Sequence, residues 1–509
     1  MQPWVIVTAI SLVFTVPVLA SAYYALILLV SSFRYPKALG RDSVPLEDHP
    51  RVSVLIAVYN EKFVISRTLD ALKDLAYPKD RLEVVVADDS TDETRHIIDK
   101  KIEGLNRSGI TAVVSRRSSR EGFKSGALNL AARLLTGQYV LLLDADSTVT
   151  PDVLSKGIAV FETHPGTSFV SYRVGHYNRN QTIITKLFAL SLDMGDTLAK
   201  MGSYSVNAPF SFQGGYALVS RRALQDVGFW SNDTIVDDAD LSCKIYASGS
   251  RGIYLSSVKI LGEDPPNLEV WKKQAARVAQ GWAKCISKHW RTILGTSRLS
   301  IWRRIALLLM LTGPFSGLSW IVVTFLSAFA IALGLSAPAN SIFSNPLYVI
   351  VVSLPIVSYF VAAAYSLHIQ RIMTLENLLL LPLLTYTGYS MLTATSVGFV
   401  SGVMGRTGFF FRTPKAGQDF ELTRTHYFRN IKLDKVLIVE GSLAIVALAL
   451  SVLVLLNSVW FLGLTLVGFG VLTLKSMNLS RLLQHVDSDP QETEDSSKEA
   501  ILDSVLTAN

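Results

Sequence analysis

The residues able to do chemistry fall in five short segments set between apolar stretches. They are Asp88-Asp89-Ser90-Thr91-Asp92, Asp144-Ala145-Asp146, Gln213-Gly214-Gly215, Asp237-Asp238-Ala239-Asp240 and Gln274 to Arg277. Asp144 and Asp146 follow the apolar run Leu141-Leu142-Leu143. Two carboxylates on alternate residues at a strand end can hold Mg2+ or Mn2+, an ion usually shared with substrate phosphates. Such an ion neutralises charge on a departing diphosphate. Asp237, Asp238 and Asp240 open a helical pattern. Their carboxylates repel one another, so at least one should resist ionisation. A general base near neutral pH needs that tuning, and Asp238 is the candidate. The same cluster also suits simple capping of a helix N-terminus.

Asp89 closes a second apolar run, where Asp and Ser also make plain turns. Its functional reading is acceptance of hydrogen bonds from a base or ribose. Tyr59, in Val58-Tyr59-Asn60-Glu61, can stack on a nucleobase with Glu61 beside it. Lys124 precedes Gly126 and a helical pattern. A lysine at a helix N-terminus is a reasonable diphosphate cradle. The histidines, among them His176, His289 and His426, show no metal-ligand spacing.

These groups need a scaffold. Val52–Val58, Leu82–Ala87 and Tyr139–Leu143 read as buried parallel strands. Helical patterns at 62–75 and 125–135 lie between them. Strand alternating with helix predicts an open α/β sheet, whose ligands bind beyond the carboxyl ends of the strands. The candidate carboxylates stand at those ends.

Only 17% of the 509 residues are charged and the mean hydropathy is +0.34. Soluble proteins carry about 25% charged residues, so low charge with apolar stretches near membrane length predicts an integral membrane protein. The net charge of +7 is no nucleic-acid footprint, because the basic residues gather at the ends of apolar stretches. The expected organisation is an N-terminal anchor at 1–33, a soluble domain at 50–290, interfacial and transmembrane helices at 298–403, a basic loop at 404–435, a transmembrane hairpin at 436–476 and an acidic, disordered tail at 482–509. About five spans are expected, at 3–33, 305–335, 346–369, 436–456 and 460–474. The stretch 375–403 is read as interfacial or re-entrant, because a crossing there would put the basic residues of 406–435 outside. The soluble domain and C-terminus then lie in the cytoplasm, with the multi-pass chain in the plasma membrane. No charge falls mid-span in the manner of a transporter. Cys243 and Cys285 make no disulfide framework.

The ordered motif set resembles the family 2 glycosyltransferases of the GT-A fold, in the membrane-embedded branch with cellulose, hyaluronan and mannan synthases. The resemblance implies an α/β, Rossmann-like catalytic domain inserted between transmembrane and interfacial helices. It implies a nucleotide-sugar donor, a polysaccharide or lipid acceptor, Mg2+ or Mn2+, and inversion at the sugar carbon. It assigns Tyr59, Glu61 and Asp89 to the nucleotide, Lys124 to the phosphates, and Asp144 and Asp146 to nucleotide and metal. The family's TED motif falls on Val236-Asp237-Asp238, which puts the base at Asp238 and Asp237 beside the acceptor. Gln213, Gly214 and Gly215 resemble the loop bordering the acceptor. The QxxRW motif falls on Gln274, Arg277 and Val278. Val278 stands where polymerising relatives have an acceptor-stacking tryptophan; Trp282, one turn on, either replaces it or simply packs. Gly405 to Lys415 is similar to the gating loop of processive synthases, which brings Thr413 and Lys415 to the diphosphate. The competing reading of that loop is a basic patch for anionic lipid.

Overall fold

The computed structural model describes residues 3–36, 48–335, 346–405, 435–457 and 459–486. Eight strands make one mixed sheet in the order β3-β2-β1-β4-β7-β6-β8-β5. β1 (Val52–Val58), β2 (Leu82–Asp88), β3 (Thr111–Ser115) and β4 (Tyr139–Asp144) run parallel. β1 lies between β2 and β4 with both faces packed, so its run is nearly all apolar rather than alternating. Ala57 pairs with Ala87 on one side and with Asp144 on the other. The three strands therefore end level, and Tyr59, Asp89 and Asp146 each follow two residues later.

The other half of the sheet reverses. β7 (Ala217–Ser220) is antiparallel to β4 and to β6 (Thr167–His176). β8 (Arg251–Gly262) is parallel to β6, and the two-residue β5 (Thr148–Val149) closes antiparallel on β8. Because β7 runs against β4, the loop that enters it, Gln213–Gly215, arrives over the exit of β4. Gly215 is needed there: a methyl group on it would collide with the backbone nitrogen of Asp144.

Helices α2 (Ile65–Ala71), α3 (Thr94–Arg107), α4 (Phe123–Ala131) and α5 (Val153–Thr163) connect the strands. α6 (Ile183–Gly195) runs into a π-helical segment, Asp196–Gly202, and the short α7 (Ser203–Ser205). α8 (Arg221–Asp226) and α9 (Asp237–Ala247) follow. The N-terminal α1 (Pro3–Ser32) packs along the π-helical segment.

α10 (Leu268–Gly295) joins the domain to the apolar helices. Asn267 caps it by accepting from the Val270 amide at 2.9 Å. The helix Leu381–Val403 lies directly on α10, and Gly398 permits this, since a side chain there would strike the Ala276 carbonyl. The stretch expected as one span at 305–335 is two helices. α11 (Ile301–Leu311) stops at Thr312, and Pro314 opens α12 (Gly313–Ala332). Among the described residues four helices are long and apolar enough to cross a membrane: Ala9–Ser32, Gly313–Ala332, Leu375–Val403 and Ile438–Leu456. Leu375–Val403, read from sequence as interfacial, thus also has the length and composition of a span. A buried charge was missed as well. Glu440, near the start of the helix Lys435–Leu456, meets Lys272 Nζ of α10 at 2.9 Å. The gating-like loop with Thr413 and Lys415, and most of the acidic tail, lie outside the described residues.

Candidate active site

At the exits of β2 and β4 three carboxylates have cations. Asp88 takes Arg116 Nε at 2.7 Å. Asp89 takes Arg117 through both oxygens, at 2.8 and 2.6 Å. Asp144 Oδ1 takes Lys124 Nζ at 2.8 Å. Lys124 sits at the start of α4, and its ammonium also lies 3.8 Å from Asp237. Burial alone would loosen its proton, yet Asp144 and Asp237 hold it, so it titrates above the ordinary lysine range. Arg120 lies over the Tyr59 ring, 3.4 Å from the centroid, a cation–π contact on the face that sequence reading reserved for a base. Glu61 lines the same cavity.

At the other end the balance differs. α9 begins at Asp237, and its first turn presents free amides. Asp238 Oδ1 accepts from the Ala239 amide at 2.8 Å, and Oδ2 from the Gly214 amide at 2.9 Å. Burial and the neighbouring Asp237 push the Asp238 carboxyl up to about 6, against the pull of Lys124. Asp240 turns away to Ser231 at 2.6 Å and His289 at 2.7 Å. Burial would raise it, but those hydrogen bonds hold it down at about 2. Arg277 of α10 faces the cleft; burial lowers its pKa while Asp237, Asp238 and Asp144 work to raise it. Gln274, one turn earlier, lines the cleft with Oε1 buried and unpartnered among the described residues.

One cavity of about 780 Å3 is lined by Tyr59, Glu61, Asp89, Arg120, Lys124, Asp144, Asp237, Asp238, Gln274 and Arg277, and continues to Tyr24 and Leu28 of α1, Leu309 of α11 and Thr395. The structure thus brings together Tyr59, Glu61, Asp89, Lys124, Asp144, Asp146, Gln213, Gly214, Asp237, Asp238, Gln274, Arg277 and Trp282 on one surface.

Comparison with known proteins bears on the family pattern and the fold. The glycosyl transferase family group 2 pattern matches residues 139–362. That segment, a little under half of the chain, carries the family 2 glycosyltransferase pattern. A probable glucomannan 4-beta-mannosyltransferase 6 of Oryza sativa subsp. japonica is 30% identical over 285 residues, 53% of this chain and 50% of that protein. A probable glucomannan 4-beta-mannosyltransferase 10 of Arabidopsis thaliana is 29% identical over 265 residues, 51% of this chain and 48% of that protein. The chain spans about half the length of these curated relatives. In fold it is similar to the mannosyltransferase PcManGT from Pyrobaculum calidifontis, solved with GDP-Man and Mn2+. That likeness has a TM-score of 0.54 at 22% identity, covering 79% of this chain and all of the other.

Val278, expected from the resemblance to stand at the QxxRW tryptophan, lines the cavity; Trp282 lines it too, half-buried against the core. Asp146 is buried, and its Oδ2 accepts from the Glu263 amide at 2.8 Å. Among the described residues no cluster of three His, Cys, Asp or Glu is arranged around an ion. Hard oxygen donors from Asp144 and Asp146 fit an ion that completes its shell with phosphate and water. Sequence reading missed several groups. Arg116, Arg117 and Arg120 form a basic run directly after β3, a signal that was available. Glu263 and Asp264 at the exit of β8, and Asp196 and Lys200 in the π-helical segment, line the cavity with no motif to announce them. His176, expected to be structural or at the surface, is buried 2.8 Å from Asp264 and 3.7 Å from Asp193. Burial would lower its pKa, but the two carboxylates raise it to about 9.

Proposed function

We propose that the protein is an inverting, membrane-bound hexosyltransferase that extends a β-linked polysaccharide from a nucleotide sugar. GDP-mannose is the first choice of donor, because the relatives above are glucomannan mannosyltransferases, and UDP-glucose the second. Asp238 takes the proton of an acceptor hydroxyl. The oxygen attacks the anomeric carbon from the face opposite the diphosphate. The sugar–phosphate bond breaks, and its electron pair leaves on the nucleoside diphosphate. Lys124 and Arg277 lie where that charge develops. A divalent ion held by Asp144 and Asp146 would supply Lewis-acid stabilisation of the leaving group. Tyr59, Glu61 and Asp89 bind the nucleoside, with Arg120 moving off the Tyr59 ring as the base stacks. Asp237, Gln213, Gly215 and Trp282 border the acceptor. Thr413 and Lys415 close over the diphosphate. The catalytic domain faces the cytoplasm, and the membrane is the plasma membrane.

The observation that carries the proposal is the convergence on one cavity. Lys124 bridges Asp144 and Asp237, and the base beside them stands in a cavity continuous with α1 and α12. A growing chain needs such a path. A second reading, one sugar placed on a membrane lipid, draws on Val278 and on the apolar lining at Leu28, Leu309 and Met310. Purified protein in lipid discs, given labelled GDP-mannose or UDP-glucose with Mn2+, should release diphosphate and make a long product cleaved by β-specific hydrolases. A product of one sugar on lipid establishes the second reading. No transfer from any nucleotide sugar ends both.

A further inference from the structure

Between α6 and α7 the chain winds as a π-helix, Asp196–Gly202. Such segments are rare and cluster at functional sites. Here it carries two charges out of water. Asp196 is 2% exposed and Lys200 4%. Asp196 Oδ1 holds Lys200 Nζ at 2.8 Å. Its Oδ2 accepts from the Val174 amide at 3.1 Å and from the Tyr254 hydroxyl at 3.2 Å. The carboxylate is therefore fully engaged by the sheet and cannot follow the lysine elsewhere. A buried pair of this kind is a poor source of stability; what it does supply is fixed geometry.

Lys200 also lies over the Tyr254 ring, 5.5 Å from the centroid, and reaches one more residue. Its ammonium donates to Gln213 Oε1 at 3.3 Å. Gln213 is followed by Gly214, whose amide donates to Asp238 Oδ2. The loop is also pinned from below, where Gly215 leaves no room for a side chain against Asp144. A line of direct contacts thus runs from the sheet through Asp196, Lys200 and Gln213 to the amide on the base. The segment's far end touches the membrane helix: Gly202 packs so closely on α1 that a methyl would strike the Leu28 carbonyl.

We propose that Lys200 is a positioning residue: held by Asp196, it fixes Gln213 and so aims the Gly214 amide that orients Asp238. This rests on the functional reading above, with Asp238 as the base. Lys200 acts through the loop and needs no contact with donor or acceptor. The charge matters more than the length of the stem, because only a cation satisfies Asp196 and Gln213 together.

The test uses the full chain in lipid discs, with labelled GDP-mannose and Mn2+ and with UDP-glucose in parallel. Lys200→Met should lower kcat by about tenfold or more, with donor affinity and acceptor KM near wild type, as displacement of a catalytic group does. Lys200→Arg should recover most of that loss. Because Lys200→Met strands the Asp196 carboxylate, it can fail to fold. Gln213→Leu, which leaves the buried pair intact, then decides: a fall in kcat alone supports the proposal. An unchanged kcat in either folded variant overturns it. So does a loss confined to acceptor KM, which would make these residues an acceptor subsite. Wild-type protein that transfers no sugar at all breaks the functional reading and takes this inference with it. An active wild type with an indifferent Lys200→Met breaks the inference alone.

Discussion

The two ends of the cleft handle negative charge in opposite ways. At the exits of β1, β2 and β4, Asp88, Asp89 and Asp144 each have a cation within 3 Å. At the start of α9, Asp238 has only amides, and a second carboxylate beside it. A carboxylate paired with its own cation is held in place, which suits binding. An under-matched one keeps a proton affinity near neutrality, which suits proton transfer. The pairing pattern therefore divides acidic residues of one type into two jobs.

The division is broken most directly at Asp238. Asp238→Asn keeps one of the two amide contacts, since its NH2 group cannot accept from an N–H, and removes the base. Turnover should fall by roughly 10^3-fold or more, while binding of a nucleotide sugar, followed by calorimetry, stays near wild type. Retained turnover would mean that the base lies elsewhere. Next comes the cation shared by both ends. Lys124→Met removes the partner of Asp144 and a neighbour of Asp237. Steady-state kinetics should show kcat/KM for the donor down by about 10^2-fold, the scale of losing one preorganised stabiliser of developing charge. An effect on acceptor KM alone would place Lys124 outside the donor site.

Much of this layout was legible because it depends on local chemistry. The apolar runs of β1, β2 and β4 are buried on both faces, and a strand end is readable wherever an Asp interrupts such a run. The division between Asp238 and Asp240 was half legible. Repulsion within the cluster predicted a raised carboxyl, but which one depends on Gly214 and His289, 24 and 49 residues away in the chain. The reversal of β7 and the π-helical segment left no periodic signal. Both are settled by packing against β4, β6 and α1. Lys272–Glu440 was hidden for a related reason. One acid near the end of an apolar run reads as an interfacial residue until its partner on α10 is seen.

A finer test separates the causes that raise Asp238. Burial is the largest and Asp237 the second. With the base near 6, kcat/KM should fall about tenfold per pH unit below that point. Asp237→Asn removes the repelling charge, so Asp238 ionises more easily and the acid limb should move to lower pH. Burial remains, so the limb should stop above the ordinary carboxylate range near 4. A limb that does not move would mean that Asp237 does not raise the Asp238 carboxyl.

The smallest expected effect on rate concerns Asp240, two residues from the base and opposite to it in character. Its folded pKa, about 2, lies below the ordinary value near 4. A depressed carboxyl contributes stability that is present above pH ~4 and lost as pH falls through about 2. The depression corresponds to roughly 2 kcal/mol. Asp240→Asn should therefore lower the unfolding midpoint in detergent at pH 7, and the difference from wild type should shrink toward pH 3. Turnover should change only a few-fold, since α9 keeps its other contacts. Asp238 carries the opposite sign. A carboxyl raised to about 6 costs stability once ionised, so Asp238→Asn should leave the midpoint at pH 7 unchanged or higher. Two substitutions of the same kind, two residues apart, should thus separate cleanly: one takes away activity and spares the fold, the other weakens the fold and spares activity. If both moved stability in the same direction, the contrast between the two ends of the cleft would not extend into α9.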